Sequence, residues 1–143
     1  PRKGFVKYDG KISENYINEY NFINYNTLIE KYNLNPSVIK NSKKISAYLK
    51  RIDKLNEYSK KIKSKPIFIT NIGSNGYDLD LFLYNQALIN HCVLKRYKCI
   101  DLAKKIEPDI KYWYGEKHTT KKGSAAIANL IFEDLSKILS KKN

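Results

Sequence analysis

The stretch Lys65-Pro66-Ile67-Phe68-Ile69-Thr70-Asn71-Ile72-Gly73-Ser74-Asn75-Gly76 decides the reading of the chain. Pro66 cannot continue a helix, so whatever precedes it must stop. Ile67 to Thr70 is a short run of β-branched and aromatic residues between turn signals, which suits a strand buried on both faces. Asn71 to Gly76 follows as a loop. Upstream, Ile45, Tyr48, Leu49, Ile52, Leu55 and Ile62 recur at helical spacing, and Ser42 is a suitable N-cap, so a helix is expected over about 42–63. Downstream, Leu81, Phe82, Leu88, Ile89 and Cys92 mark a second helix over about 80–93. Tyr97-Lys98-Cys99-Ile100-Asp101 reads as another short strand. Residues 107–120 have no period and read as loop, and Ile127, Leu130, Ile131, Leu135 and Ile138 predict a last helix over about 122–139.

Helix, strand, helix, strand, loop and helix in this order argue for α/β architecture with a parallel sheet and right-handed crossovers. Two strands are a poor core on their own. Residues 1–41 are rich in Tyr and Asn without a clean period, and read as an irregular segment with one short helix near 26–32 and a turn at Asn35-Pro36. The domain proper is therefore expected over 42–143. The chain has no Met, which suggests a processed or excised piece of a longer protein.

Composition bounds the function classes. A 143-residue chain with 42% hydrophobic residues can bury a core, which excludes global disorder. No apolar run is long enough to span a bilayer, and no signal peptide is visible. The net charge is +13. Such a charge can be a footprint for nucleic acid or another polyanion, carried by the lysine-rich helix 42–63 and the aromatic segment before it. All but three of the 27 basic residues are lysine, however, the exceptions being Arg2, Arg51 and Arg96. Abundant Lys, Asn, Ile and Tyr are also what AT-rich coding produces, so coding bias is preferred as the source of the charge and nucleic acid is not favoured as a partner.

Cys92 and Cys99 form neither a CxxC pair nor a zinc pattern, and read as reduced core thiols of a cytoplasmic protein, with a disulfide as the lesser alternative. His91, near a helix end, reads as a cation complementing the helix dipole. Asp78 and Asp80 read as caps of the second helix. No cluster has metal-ligand spacing and no cofactor is implied.

Ligands of open parallel sheets bind beyond the carboxyl ends of the strands. That places Asn71 to Tyr77, Asp101 to Ala103 and the loop carrying His118 at a candidate site, with His118 able to act as a general base near neutral pH. The block Tyr112-Trp113-Tyr114-Gly115-Glu116-Lys117-His118-Thr119-Thr120-Lys121-Lys122-Gly123-Ser124-Ala125-Ala126-Ile127-Ala128 resembles the last conserved block of SGNH (GDSL-type) hydrolases. Three upstream pieces match in order: Lys65 to Thr70 looks like a late central strand, Tyr84-Asn85-Gln86-Ala87-Leu88 like the next helix, and Cys99-Ile100-Asp101-Leu102-Ala103 like the strand before the histidine loop. The resemblance covers about 42–140.

It implies a flavodoxin-like three-layer sandwich, here apparently lacking its N-terminal strands, and hydrolysis of acetylated-carbohydrate or lipid esters. By resemblance His118 is the base that activates a serine. The family's Asp, three residues before the His, is Gly115 here, so Glu116 or Asp109 is the expected substitute, with a dyad helped by a backbone carbonyl as the other option. Asn71, Ser74, Asn75, Tyr77, Trp113 and Tyr114 are expected to line the substrate site. Neither Ser13 nor Ser37 has the context of a nucleophile, so the serine is expected from a part of the natural protein outside this chain. The alternatives are a polyanion-binding protein and an inactive SGNH-like module that binds carbohydrate or protein through Tyr77, Tyr112, Trp113 and Tyr114.

Overall fold

The computed structural model describes residues 42–71, 79–106, 109–113 and 118–140. The expected short helix near 26–32 and the irregular segment 1–41 lie outside them. Helix α1 spans Lys43–Lys61, strand β1 Ile67–Ile69, helix α2 Leu79–Lys95, strand β2 Lys98–Ile100, the short helix α3 Leu102–Lys105, a 3-10 turn Ile110–Tyr112, and helix α4 Lys121–Ser140. The described chain is thus mostly helical with one small parallel sheet, an α/β arrangement in which Ile67 faces Lys98, Phe68 faces Cys99 and Ile69 faces Ile100.

The α1 cap is as expected: the Ser42 hydroxyl accepts from the Ile45 backbone N–H at 3.3 Å. The buried stripe of α1 corrects the sequence reading. Ile45, Ile52 and Asn56 are buried, whereas Leu55 and Ile62 keep 54% and 76% of their surface. At about 100° per residue, Asn56 falls about 20° from Ile45 on the helix wheel and Leu55 about 80° away. The core line therefore passes through a polar residue instead of the leucine beside it. Ile45 packs with Ala87 of α2, flanked by Leu49, Leu83 and Tyr84. Ile52 packs with Leu88 and Cys92, flanked by Tyr48, Phe68, Tyr97 and Cys99. Phe68 and Cys99 thus turn one face of the sheet toward α1 and α2. The other face is only partly covered among the described residues: Ile100 is buried, but Ile69 retains 38% exposure, so β1 is not the doubly buried strand its composition predicts.

Both α1 and α2 end in the same way. Lys63 N–H donates to the Lys60 carbonyl at 3.0 Å and Ser64 N–H to the Ser59 carbonyl at 2.8 Å. Arg96 N–H donates to Val93 at 3.3 Å and Tyr97 N–H to Cys92 at 2.9 Å. These are two Schellman caps, and the left-handed position of each is filled by a cation, Lys63 and Arg96, both at φ 55. A side chain in that conformation costs about 1 kcal/mol relative to glycine.

Two further expectations need correction. Cys92 and Cys99 are joined in a disulfide, with Cα atoms 6.2 Å apart, so the thiols no longer argue for a reducing compartment. Their spacing across a tight turn, from the last turn of α2 to the middle of β2, carries no motif that distinguishes a bonded pair from two buried thiols. His91 is not simply a cation at a helix end. Its Nε2 lies 2.7 Å from Asp53 Oδ1 on α1, and the Tyr97 hydroxyl donates to the same oxygen at 2.9 Å. Burial alone would raise the Asp53 carboxyl, but the bonds from His91 and Tyr97 hold it below the usual carboxylate range. Burial, followed by the bond to Asp53, pushes the Tyr97 phenol up.

Two predictions follow from these links. Without reductant, the intact protein should be two hydrogens lighter than its reduced form and take up no iodoacetamide under native conditions. Cys92→Ala with Cys99→Ala should lower stability by about 2 kcal/mol, measured by urea denaturation. For Asp53, a folded-state carboxyl held below its unfolded value adds stability above the unfolded value and loses it as pH falls. Asp53→Asn should therefore flatten the loss of stability as pH falls below the ordinary carboxylate value of about 4, read from urea midpoints at each pH.

Candidate functional site

The carboxyl ends of β1 and β2 are tied by one hydroxyl. Thr70, 2% exposed, follows β1 directly. Its Oγ1 donates to Asp101 Oδ1 at 3.1 Å and accepts from the Ala103 backbone N–H at 2.9 Å. Its own N–H donates to the Ile100 carbonyl at 3.1 Å. Asp101 also caps α3, accepting from Lys104 N–H at 3.4 Å. On the other side of β1, buried Asn85 of α2 holds the backbone of Asn71 from both directions. Its Oδ1 accepts from Asn71 N–H at 3.0 Å, and its Nδ2 donates to the Asn71 carbonyl at 2.8 Å. These contacts set the exit direction of the loop that starts at Asn71.

The described residues on either side of the histidine loop meet at the start of α4. Thr120 is the N-cap of α4: its Oγ1 accepts from Gly123 N–H at 3.1 Å and donates to the Lys111 carbonyl at 2.8 Å. Thr120 N–H donates to the Tyr112 carbonyl at 2.9 Å. Gly123 is the buried residue of α4, and a Cβ there would overlap the Tyr112 carbonyl oxygen and sit 2.9 Å from its carbon and 3.0 Å from the Tyr112 Cα. The absent side chain is what lets the helix close on the 3-10 turn. An antiparallel bridge pairs Trp113 with Thr119, and Thr119 Oγ1 lies 2.8 Å from Ser124 Oγ. His118, exposed, directly precedes the bridge residue Thr119 and the α4 cap.

The chain leaving β2 runs along α4 in reverse. Lys105 of α3 pairs with Asp134 in the C-terminal half of α4, whereas Lys111 and Tyr112 meet Thr120 and Gly123 at its start. The α4 N-terminus, and His118 just before it, therefore lie on the carboxyl-end side of the sheet.

The other expected site residues fare differently. Asn71 is exposed at the end of β1, with its backbone held by Asn85. Asp109 starts the 3-10 turn: its Oδ1 accepts from Lys111 N–H at 2.9 Å, and its carboxylate pairs with the Lys111 ammonium. Burial would raise its carboxyl, but Lys111 holds it below the usual range. A turn role thus already occupies it. Trp113 is 3% exposed, so its ring belongs to the core instead of forming a stacking surface, and its indole N–H finds no acceptor among the described residues. Ser74, Asn75, Tyr77, Tyr114 and Glu116 lie outside the described residues. Among the described residues no three His, Cys, Asp or Glu side chains come together as a metal-binding group, and no helix is long and apolar enough to cross a membrane. Asp101 was expected at the site, whereas Thr70 and Asn85 were missed as positioning residues. For Thr70, its place directly after a strand was the one signal that could have found it.

The chain matches no protein-family model, no curated protein and no solved structure. The chemistry must therefore be argued from the residues themselves.

Gly123→Ala should lower stability by about 1–2 kcal/mol in urea denaturation, although alanine is the better helix former at an open position. An unchanged or raised midpoint would mean that α4 does not close on the 3-10 turn as described.

Proposed function

We propose that this chain is the histidine-bearing part of an SGNH-type ester hydrolase, with His118 as general base and a flavodoxin-like three-layer sandwich as the complete domain. The observation that carries the reading is the fastening of the His118 loop by Thr120 and Gly123. This is a mechanical reason for the Thr-Thr-x-x-Gly spacing that follows the histidine. A base must keep a fixed position relative to its nucleophile, and a capped helix start with a backbone clasp supplies that. Asn71, exposed at the end of β1, suits the substrate side of such a site, and Glu116 suits orientation of the imidazole.

In this reading a serine from outside the chain attacks the ester carbonyl as His118 accepts its proton. The alcohol leaves with that proton, and water then releases the acid by the same route. Acetylated carbohydrates and lipid esters are the substrate classes that the resemblance favours. The two open edges of the described sheet and the half-buried stripe Ile127, Leu130, Ile131, Leu135 and Ile138 on α4 support a larger sandwich.

The test is a fluorophosphonate probe, read by intact mass, on this chain and on the natural-length protein side by side. Labelling of the longer protein alone is expected, and His118→Ala should cut both labelling and ester turnover by at least about a hundredfold. Full turnover in the variant, or no labelling of either protein, would overturn the proposal.

A further inference from the structure

At the opposite, amino-terminal end of the sheet lies a cleft of about 520 Å³, lined by six cations: Lys60, Lys63, Lys65, Lys95, Arg96 and Lys98. Asn56, Ser64, Pro66 and Tyr97 complete it, and no carboxylate lines it among the described residues. None of the six cations forms an ion pair with a described carboxylate. Two described carboxylates act on residues that line it. Asp53, which feels Lys95, is bonded to His91 and Tyr97, and Glu57 acts on the Tyr97 phenol.

Helix dipoles explain part of this cluster. Lys60, Lys63, Lys95 and Arg96 stand at the carboxyl ends of α1 and α2, where cations are favourable. The two ends supply only about one negative unit together, and Lys65 and Lys98 belong to neither helix. With Asp53 and Glu57 counted as well, a surplus of about three positive charges remains. Coding bias does not explain it either. A biased pool rich in Asn offers the better residue for a left-handed cap, yet the two caps hold Lys63 and Arg96.

We infer that this cleft is a binding site for a compact, multiply phosphorylated ligand, such as an oligophosphate or a nucleotide carrying one. Its volume is that of a small-molecule site. Lysines engage phosphate as point charges without demanding one bidentate geometry, and the Ser64 hydroxyl adds a neutral donor. The site is separate from the proposed ester chemistry and does not depend on it.

Isothermal titration with inorganic tripolyphosphate at about 150 mM salt is the test. Saturable binding with a Kd below about 100 µM is expected, and Lys63→Gly with Arg96→Gly should weaken it at least about tenfold. Glycine suits both left-handed positions, so that variant should melt no lower than the wild type, which separates lost binding from lost folding. Lys43→Gln with Lys44→Gln, at the far end of α1, should leave the affinity unchanged. Absence of saturable binding, equal affinity in the double-glycine variant, or equal weakening by the distant pair would overturn the inference. So would preference for a single-stranded oligonucleotide of about twelve nucleotides that tightens with length, which would make the surface a nucleic-acid track instead. Adenosine triphosphate binding more tightly than tripolyphosphate would assign the source to nucleotides, and equal binding to the phosphate chain itself.

Discussion

Thr70 is the residue on which the rest of the described fold depends. A parallel pair with three residues in each strand has little ladder to hold it, and parallel pairing needs both strands fixed from outside. The Thr70 hydroxyl meets that need at the carboxyl end by bonding both the Asp101 carboxylate and the Ala103 N–H. One buried group thereby fixes where β1 ends, where β2 ends and where α3 begins. Asn85 applies the same logic to the next residue, holding both polar groups of the Asn71 backbone. Buried hydroxyl and amide groups are costly unless bonded, and here the bonds they require are those that position the loops.

The histidine loop is held differently, by removal of bulk. Gly123 lets α4 approach the Tyr112 carbonyl closely, and Thr120 then bridges the helix start to Lys111. The same Thr120 that caps the helix therefore fixes the two residues before it. His118 owes its place to the backbone bonds of Thr119 and Thr120 that follow it, which need no hydrophobic periodicity.

Much of the fold was legible because it rests on local signals. The Ser42 cap, the stop at Pro66, both strands and the last helix follow from capping chemistry, turn residues and period, and their boundaries agree with the structure within a few residues. What was not legible rests on contacts between distant residues. Nothing local marks Asp53 as the partner of His91, thirty-eight positions away. Asn56 and Asn85 are polar residues on buried helix faces, and a hydrophobic pattern steps over them. Helix α3 is one turn long and exists because Asp101 and Thr70 cap it, so its signal lies partly on another strand. At the candidate site the spacing around His118 was readable but the burial of Trp113 was not; the pairing of Asp109 with Lys111 is local, within a stretch that has no period, and was passed over.

The parallel register also determines what gathers at the other end of the sheet. Two helix-to-strand units, α1 to β1 and α2 to β2, run side by side, so their Schellman turns must be neighbours. Lys63 and Lys65 are therefore brought against Arg96 and Lys98 although more than thirty residues separate them. Their mutual repulsion opposes the pairing of the strands. The disulfide fixes one of the two turns from within its own helix-to-strand unit. Cys92 provides the carbonyl that accepts from Tyr97 N–H, and Cys99 is the central residue of β2, so the bond closes around the left-handed turn that carries Arg96. On the α1 side the equivalent turn has no covalent tie and relies on its Schellman bonds alone, with Pro66 stiffening its exit. The positive end of the sheet is thus built from two turns of the same geometry, one closed by a covalent bond and the other by backbone bonds and Pro66.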